Sequence, residues 1–207
     1  GKYTDKRHLD EVKFAATLEE DLARRDFTVN AMAMGLKSQI TNHKSQTNSK
    51  SENTKYKILD TEYFLIDLFD GQKDLKNKLI RTVGNPKERF GEDALRLLRA
   101  VRFSATLGFN IEEETLSAIK ENAEWLRAIS KERIRDEFVK IIESDNAYEG
   151  ILRLNETGLL KYILPELEEG VGVGQNLHHI YTVWEHNTRA LKYTTEKKYS
   201  LAVRLGS

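Results

Sequence analysis

The stretch "GEDALRLLRAVRF", residues 91–103, sets an acid at Asp93 and arginines at Arg96, Arg99 and Arg102, each three positions after the last. At about 100° per residue this series forms a diagonal stripe on a helix, with Ala94, Leu97, Leu98, Val101 and Ala105 gathered on the other side. Arginines three apart repel by roughly a few tenths of a kcal/mol per pair, so the stripe needs anions among its members. Either the chain supplies them, with Asp93, Glu92 and Glu88 on a solvated face, or a ligand does. A carboxylate only accepts and a guanidinium only donates, so Asp93 beside Arg96 offers one acceptor and one planar donor fork. Cytosine and adenine answer that pair with an amino donor next to a ring-nitrogen acceptor. Uracil and guanine present a carbonyl and an N–H there, which would leave buried polar groups unpaired. Arg99 and Arg102, further along the stripe, suit phosphates or the bracing of the Asp–Arg pair.

The elements that must carry this stripe divide the chain in two. Thr17, with Glu20 three residues on, predicts a helix start, and the apolar spacing after it extends that helix from Leu18 to about Ala33 before a strand. On such a helix Asp26 and Asn30 stand one turn apart, either as an ordinary polar pair or as ligand contacts. Residues 37–55, "KSQITNHKSQTNSKSENTK", are almost wholly polar and predict a flexible insertion. "FLIDLFDGQKDL" predicts a strand, a turn at Asp70-Gly71 and a helix start, and "KLIRTVG" a second strand closed by Gly84. After Pro86 helical periodicity takes over, with helices predicted near 87–107, 112–122, 131–143, 147–157 and 177–193 and no convincing strand. The expected fold class is α+β: an α/β head with a mixed sheet over residues 1–85, a helical neck over 86–145 and the start of a helical body over 146–207.

Composition limits the partners. The 207 residues are 39% hydrophobic and 32% charged, enough for one large or two small domains with real cores. Lys plus Arg and Asp plus Glu balance at 33 each, so a polyanion must be met by local clusters rather than by a global field. With no cysteine there is neither a disulfide framework nor a thiolate site. No apolar run approaches the ~18 residues of a membrane span, and "GKYTDKRHLDEVKF" has no secretion-signal core, so a cytoplasmic, membrane-free protein is expected. The lack of an initiating Met and the uncapped helical pattern in "YSLAVRLGS" suggest a fragment cut at both ends.

"EDALRLLRAVRFSATLGF" resembles the nucleotide-selecting motif of the class II, bacterial-type tRNA nucleotidyltransferases, which add CCA to tRNA 3′ ends and share their motifs with the poly(A) polymerases. In the same family order, "LEEDLARRDFTVNAMA" resembles the motif that engages the nucleotide's sugar and phosphates, and "LIDLFDGQKDLKNKLIRTVGNPKERF" the hinge. "ISKERIRDEFVKII" resembles the helix that braces the selecting helix, and "NLHHIYTVWEHNTRAL" the start of the helical body. The resemblance implies Arg25 on the nucleotide, Asp26 and Asn30 on its sugar side, Asp93 and Arg96 on the base edge, and Arg99 and Arg102 nearby, with CTP and ATP as substrates and the tRNA acceptor end as partner. It also implies Mg2+ held by an Asp-x-Asp pair and a glycine-rich loop; neither is present, which places them ahead of residue 1 and leaves the isolated chain inactive. CC-adding, A-adding and poly(A)-adding enzymes share these motifs and stay open as alternatives. From other classes, a non-catalytic RNA-binding module or part of an HD-type phosphohydrolase also remains. For the latter, His186 is the one metal-ligand candidate; with His179, seven residues earlier, it equally suits packing beside Tyr181 and Trp184. Basic stretches such as "SKERIR" and "EKKYS" are candidate RNA contacts or plain solvated surface.

Overall fold

The computed structural model describes residues 17–36, 55–58, 61–175 and 180–207. Most of the expected polar insertion, His178 and His179 lie outside those residues. Helix α1 (Leu18–Ala23) starts as its sequence predicts, the Thr17 side chain accepting from the Glu20 amide at 3.2 Å. It stops ten residues earlier than the periodicity suggests. Phe27 is fully buried and forms an antiparallel bridge with Thr82, and the Thr28 amide donates to the Arg81 carbonyl at 2.9 Å. This pairing pulls residues 26–28 out of helical geometry, and only a short 3-10 turn (Thr28–Asn30) follows before strand β1 (Met32–Leu36).

Strands β1, β2 (Lys55–Ile58) and β3 (Thr61–Asp67) make an antiparallel sheet in the order β1-β3-β2. At its end the Asp67 carboxylate accepts the amides of Gly71 and Gln72, both at 2.8 Å, and so launches helix α2 (Gly71–Lys76). Gly71 is required by close approach: a Cβ there would stand 2.3 Å from the Thr28 carbonyl oxygen. The "KLIRTVG" strand is shorter than predicted. It contributes β4 (Leu79–Ile80), which pairs in parallel with β5 (Asn110–Ile111), a strand the helical reading of the second half does not contain.

The predicted helix 87–107 is two helices, α3 (Pro86–Glu92) and α4 (Leu95–Leu107). Asp93 between them is extended (φ −152°, ψ 108°), and its Oδ1 accepts the Leu95 amide at 3.0 Å, ending one helix and capping the next. α4 closes at Gly108, whose φ of 66° suits a residue without a Cβ. Then follow α5 (Glu113–Asn122), a 3-10 turn (Ala123–Ala128), α6 (Lys131–Glu143) and α7 (Ala147–Glu156), close to their predicted positions. Short helices α8 (Leu160–Ile163) and α9 (Pro165–Glu169) fill the stretch before the glycine-rich segment. α10 runs over Val183–Glu196 rather than 177–193, because Thr182 and Glu185 form a reciprocal capping box that fixes its start. α11 (Leu201–Leu205) follows.

The stripe opposite the arginines is core as expected: Ala94, Leu97, Leu98 and Val101 are fully buried and Ala105 nearly so. They join Phe27 and Ile80 of the head to Ile119, Phe138, Ile141 and Ile151 of the helices in one cluster. α4 thus packs between head and helices, with its charged face turned to the seam. Among the described residues no helix is long and apolar enough to cross a membrane.

Candidate functional site

The three stacked arginines of α4 each have a carboxylate, drawn from three different places. Arg96 Nη1 pairs with Glu92 Oε2 at the end of α3 and also donates to the Arg89 carbonyl at 3.0 Å, while Nη2 reaches the Arg24 carbonyl at 3.1 Å. Arg99 clamps Asp26, Nη2 to Oδ2 at 2.6 Å and Nε at 2.8 Å. Arg102 Nε donates to Glu137 Oε2 on α6 at 2.9 Å, with its guanidinium carbon 3.5 Å from the centre of the Phe103 ring. Of the anions expected from the local sequence only Glu92 serves the ladder; Asp26 and Glu137 arrive from 73 and 35 positions away.

Asp93 is not on the helical ladder and does not pair with Arg96. Its Oδ2 accepts from Arg133 Nη2, on α6, at 2.7 Å. On the head side, Arg24 and Arg25 share the Asp21 carboxylate at 2.6 and 2.9 Å, and their hydrogen bonds hold the Asp21 carboxyl below its ordinary range. Arg25 also donates to the Asn30 carbonyl at 3.0 Å. Asp26 and Asn30 meet, Nδ2 to Oδ1 at 3.4 Å, although no helix carries them; the 3-10 turn supplies the approach.

Arg24, Arg25, Asp26, Asn30, Asp93, Leu95, Arg96, Arg99 and Arg133 line one open cleft of about 500 Å³ between head and neck. Of the seven expected site residues, six meet there. Arg102 does not line it, being turned to Glu137 and Phe103. Arg24 and Arg133 belong to the cleft and were not singled out: Arg24 differs from Arg25 only in position along the chain, and no periodicity links Arg133 to an acid 40 residues away. Five guanidiniums and two carboxylates stand in the lining, and Asp21 and Glu92 pair with three of the five from just outside it, which leaves the cleft a small excess of positive charge in a chain of zero net charge. Planar donor forks around two acceptor-only carboxylates suit a ligand with phosphates and a base edge. A second cavity, about 340 Å³ and lined by Phe138, Ile142, Ile151, Leu164 and Leu191 among others, is largely aliphatic and lies apart from this chemistry.

Among the described residues no three His, Cys, Asp or Glu side chains are placed to share a metal ion, His186 included. Asp26, the acid nearest the head side of the cleft, already accepts from Arg99, Asn30 and the Phe27 amide. These residues do not fit a magnesium site.

Fold and cleft together describe a small sheet-bearing unit joined to a helical one, with an arginine-lined cleft where they meet. The family model described as "Poly A polymerase head domain" matches residues 1–81, and that described as "Probable RNA and SrmB- binding site of polymerase A" matches residues 108–170. The chain belongs to the poly(A) polymerase and CCA-adding tRNA nucleotidyltransferase family. The CCA-adding enzyme of Ligilactobacillus salivarius is 46% identical over 160 residues, which are 77% of this chain and 33% of that protein. The Bacillus stearothermophilus CCA-adding enzyme in complex with CTP superposes with a TM-score of 0.61 at 37% identity, covering 77% of this chain and 34% of that one. A tRNA nucleotidyltransferase complexed with a primer tRNA and an incoming ATP analog gives a TM-score of 0.60 at 29% identity, covering 92% and 45%. The chain spans about a third of the length of the curated relatives it matches.

Proposed function

We propose that this chain is the nucleotide-selecting part of a cytoplasmic tRNA nucleotidyltransferase that adds C, C and A to tRNA 3′ ends from CTP and ATP without a nucleic-acid template. The observation that carries this reading is the placement of Asp93 and Arg96 on one wall of an arginine-lined cleft. Asp93 accepts the amino group of cytosine or adenine and Arg96 donates to the adjacent ring nitrogen. Uracil and guanine, with the opposite pattern, leave both groups unsatisfied. Arg24, Arg25 and Arg99 stand as partners for the triphosphate, Asn30 and Asp26 for the sugar side, and Arg102 holds α4 to α6 from outside the cleft. The same reading divides the chain into head (1–85), neck (86–145) and body (146–207), and a cleft lined from both sides of residue 85 supports the first of these boundaries. The family's chemistry uses magnesium, and among the described residues no cluster is placed to hold it.

For the RNA we propose a contact at the end of α10. Tyr193 and Tyr199 are exposed with ring centres 6.5 Å apart, Lys197 Nζ lies 5.7 Å from the Tyr193 ring, and Lys192 and Lys198 are exposed beside them. Rings and lysines side by side suit phosphates and unstacked bases. "SKERIR" fits this role less well, since Arg133 faces the cleft and Arg135 pairs with Asp136.

In the protein that carries this chain, tRNAs ending before CCA, after C and after CC, each offered the four nucleotides singly, should take C, C and A in that order. Addition of A alone, of C alone or of long A tracts would replace the reading with one of its sister activities.

A further inference from the structure

The arginines of the cleft meet carboxylates, which orient a cation and cancel its charge in one step. On the helical side of the chain a second set of cations is held differently. Arg127 in the 3-10 turn and Lys161 on α8 both stand over the ring of Tyr162, at 5.2 and 5.1 Å from its centre. Lys192 stands 5.2 Å from the centre of the Tyr148 ring, across the contact between α7 and α10. Among the described residues none of these cations makes an ion pair. A tyrosine ring attracts a cation through its quadrupole and fixes its place, but carries no charge to set against it. The positive charge therefore stays available to a ligand.

We propose that Arg127 and Lys161, presented on Tyr162, form a phosphate-contacting site for an RNA backbone, separate from the one at the end of α10. The inference rests on the RNA reading given above and extends it to a second place on the helical surface. Arg127 and Lys161 are exposed, whereas Tyr162 is half-buried and packs against the hydrophobic core. The ring is thus a fixed support under two accessible charges. Like charges gathered on one ring repel, and an anion between them relieves that repulsion. Neither residue lines the nucleotide cleft, so the anion is not the triphosphate seated there. α7 packs against both α8 and α10, so the sites on Tyr162, Tyr148 and Tyr193 lie along one run of packed elements. A polymer of phosphates can meet several such sites at once, which a single small anion cannot, and release of its condensed counterions drives the association. Contacts of this kind place an RNA by its shape and backbone and carry no base preference.

The test uses the protein that carries this chain and measures its dissociation constant for a tRNA lacking CCA over a range of salt, with CTP binding and the melting temperature of each variant. Arg127→Gln combined with Lys161→Gln should weaken tRNA binding about tenfold near physiological salt and flatten the slope of log Kd against log salt by roughly 1–2. CTP binding and the melting temperature should stay at parental values. Tyr162→Phe keeps the ring and should bind tRNA like the parent, whereas Tyr162→Leu keeps both charges without their support and should weaken tRNA a few-fold. A double glutamine variant with parental affinity and slope would overturn the inference and leave the α10 contact standing. So would one that loses binding of poly-glutamate rather than of tRNA, which would assign the patch to an acidic protein. A parent protein whose tRNA affinity does not change with salt removes the RNA reading and the inference with it.

Discussion

In the proposed reading Asp93 shares base choice with Arg96, and its contribution is a difference of hydrogen bonds rather than of charge. Truncating Asp93 removes the acceptor for the amino group and also the cap on the Leu95 amide. Asp93→Ala should therefore lower the CTP-over-UTP preference by about 10- to 100-fold. The same change should cost about 1 kcal/mol of stability through the lost cap. Asp93→Asn separates the two effects, because its side-chain oxygen still caps α4 while the charge and one acceptor position are gone; it should melt near the parent and discriminate poorly. Nucleotide titrations and thermal melts of both variants check this, and intact discrimination in Asp93→Ala would refute the role. At this scale the sequence shows residue types better than it shows partners. Arg96 and Arg99 are legible because arginines at helical spacing are a local fact, whereas Arg25 comes through the family resemblance and Asp93, read as part of the same helix, stands extended between two. Their counter-ions Asp26, Glu137 and Arg133 are not legible, since which acid meets which arginine depends on how distant segments dock.

α4, α6 and α7 hold the arginine face in place, and two of their features make opposite demands on intuition. Glu137 on α6 is almost wholly buried, which pushes its carboxyl up, yet the hydrogen bond from Lys140 and the charges of Arg102 and Arg99 outweigh burial and hold it below the ordinary 4.5. A carboxylate depressed on folding contributes stability that is fully present above about pH 4.5 and is lost as pH falls through the lower folded value. Melts from pH 7 to pH 3 should show that acid loss, and Glu137→Gln should flatten it while costing about 2 kcal/mol at pH 7 for the unpaired Arg102. An unchanged acid limb in that variant would mean the cluster is not coupled to folding. Gly150 on α7 has ordinary helical dihedrals, so Ala there would gain about 1 kcal/mol by propensity alone. A Cβ at that position, however, stands 2.5 Å from Ile141 Cγ2 and 3.1 Å from Ala105 Cβ, both in the buried core. Overpacking of about 1–3 kcal/mol then outweighs propensity, and Gly150→Ala should lower the melting temperature rather than raise it. Elements were legible where one face is core over several turns, as in α6 and α7. They were not where a two-residue pairing overrides periodicity: the Phe27–Thr82 bridge ends a helix early, β5 exists only because β4 lies beside it, and Asp93 breaks α3 from α4 by capping.

Across the whole molecule the cleft is shared property. Arg24, Arg25, Asp26 and Asn30 come from the head; Asp93, Leu95, Arg96, Arg99 and Arg133 come from the neck helices. The overall charge balance of 33 against 33 conceals this local excess of arginine, so composition alone points away from a polyanion while the folded arrangement points toward one. Among the described residues three arginines cross the seam, Arg99 to Asp26, Arg96 to the Arg24 carbonyl and Arg89 to the Ala23 carbonyl at 2.9 Å. A nucleotide seated among them binds only when both sides are folded and docked, so its binding free energy adds to the stability of head and neck together. At one hundred times the dissociation constant that is about 2.7 kcal/mol. A domain of this size gains roughly 2–4 °C per kcal/mol, so CTP or ATP should raise the melting temperature by about 5–10 °C. UTP and GTP share the triphosphate but not the base edge, and at the same concentration they should raise it far less. Asp93→Ala should bring all four shifts to a common small value, because phosphate contacts remain when base contacts are gone. Equal shifts from CTP and UTP in the parent chain would show that the cleft binds triphosphates without reading the base.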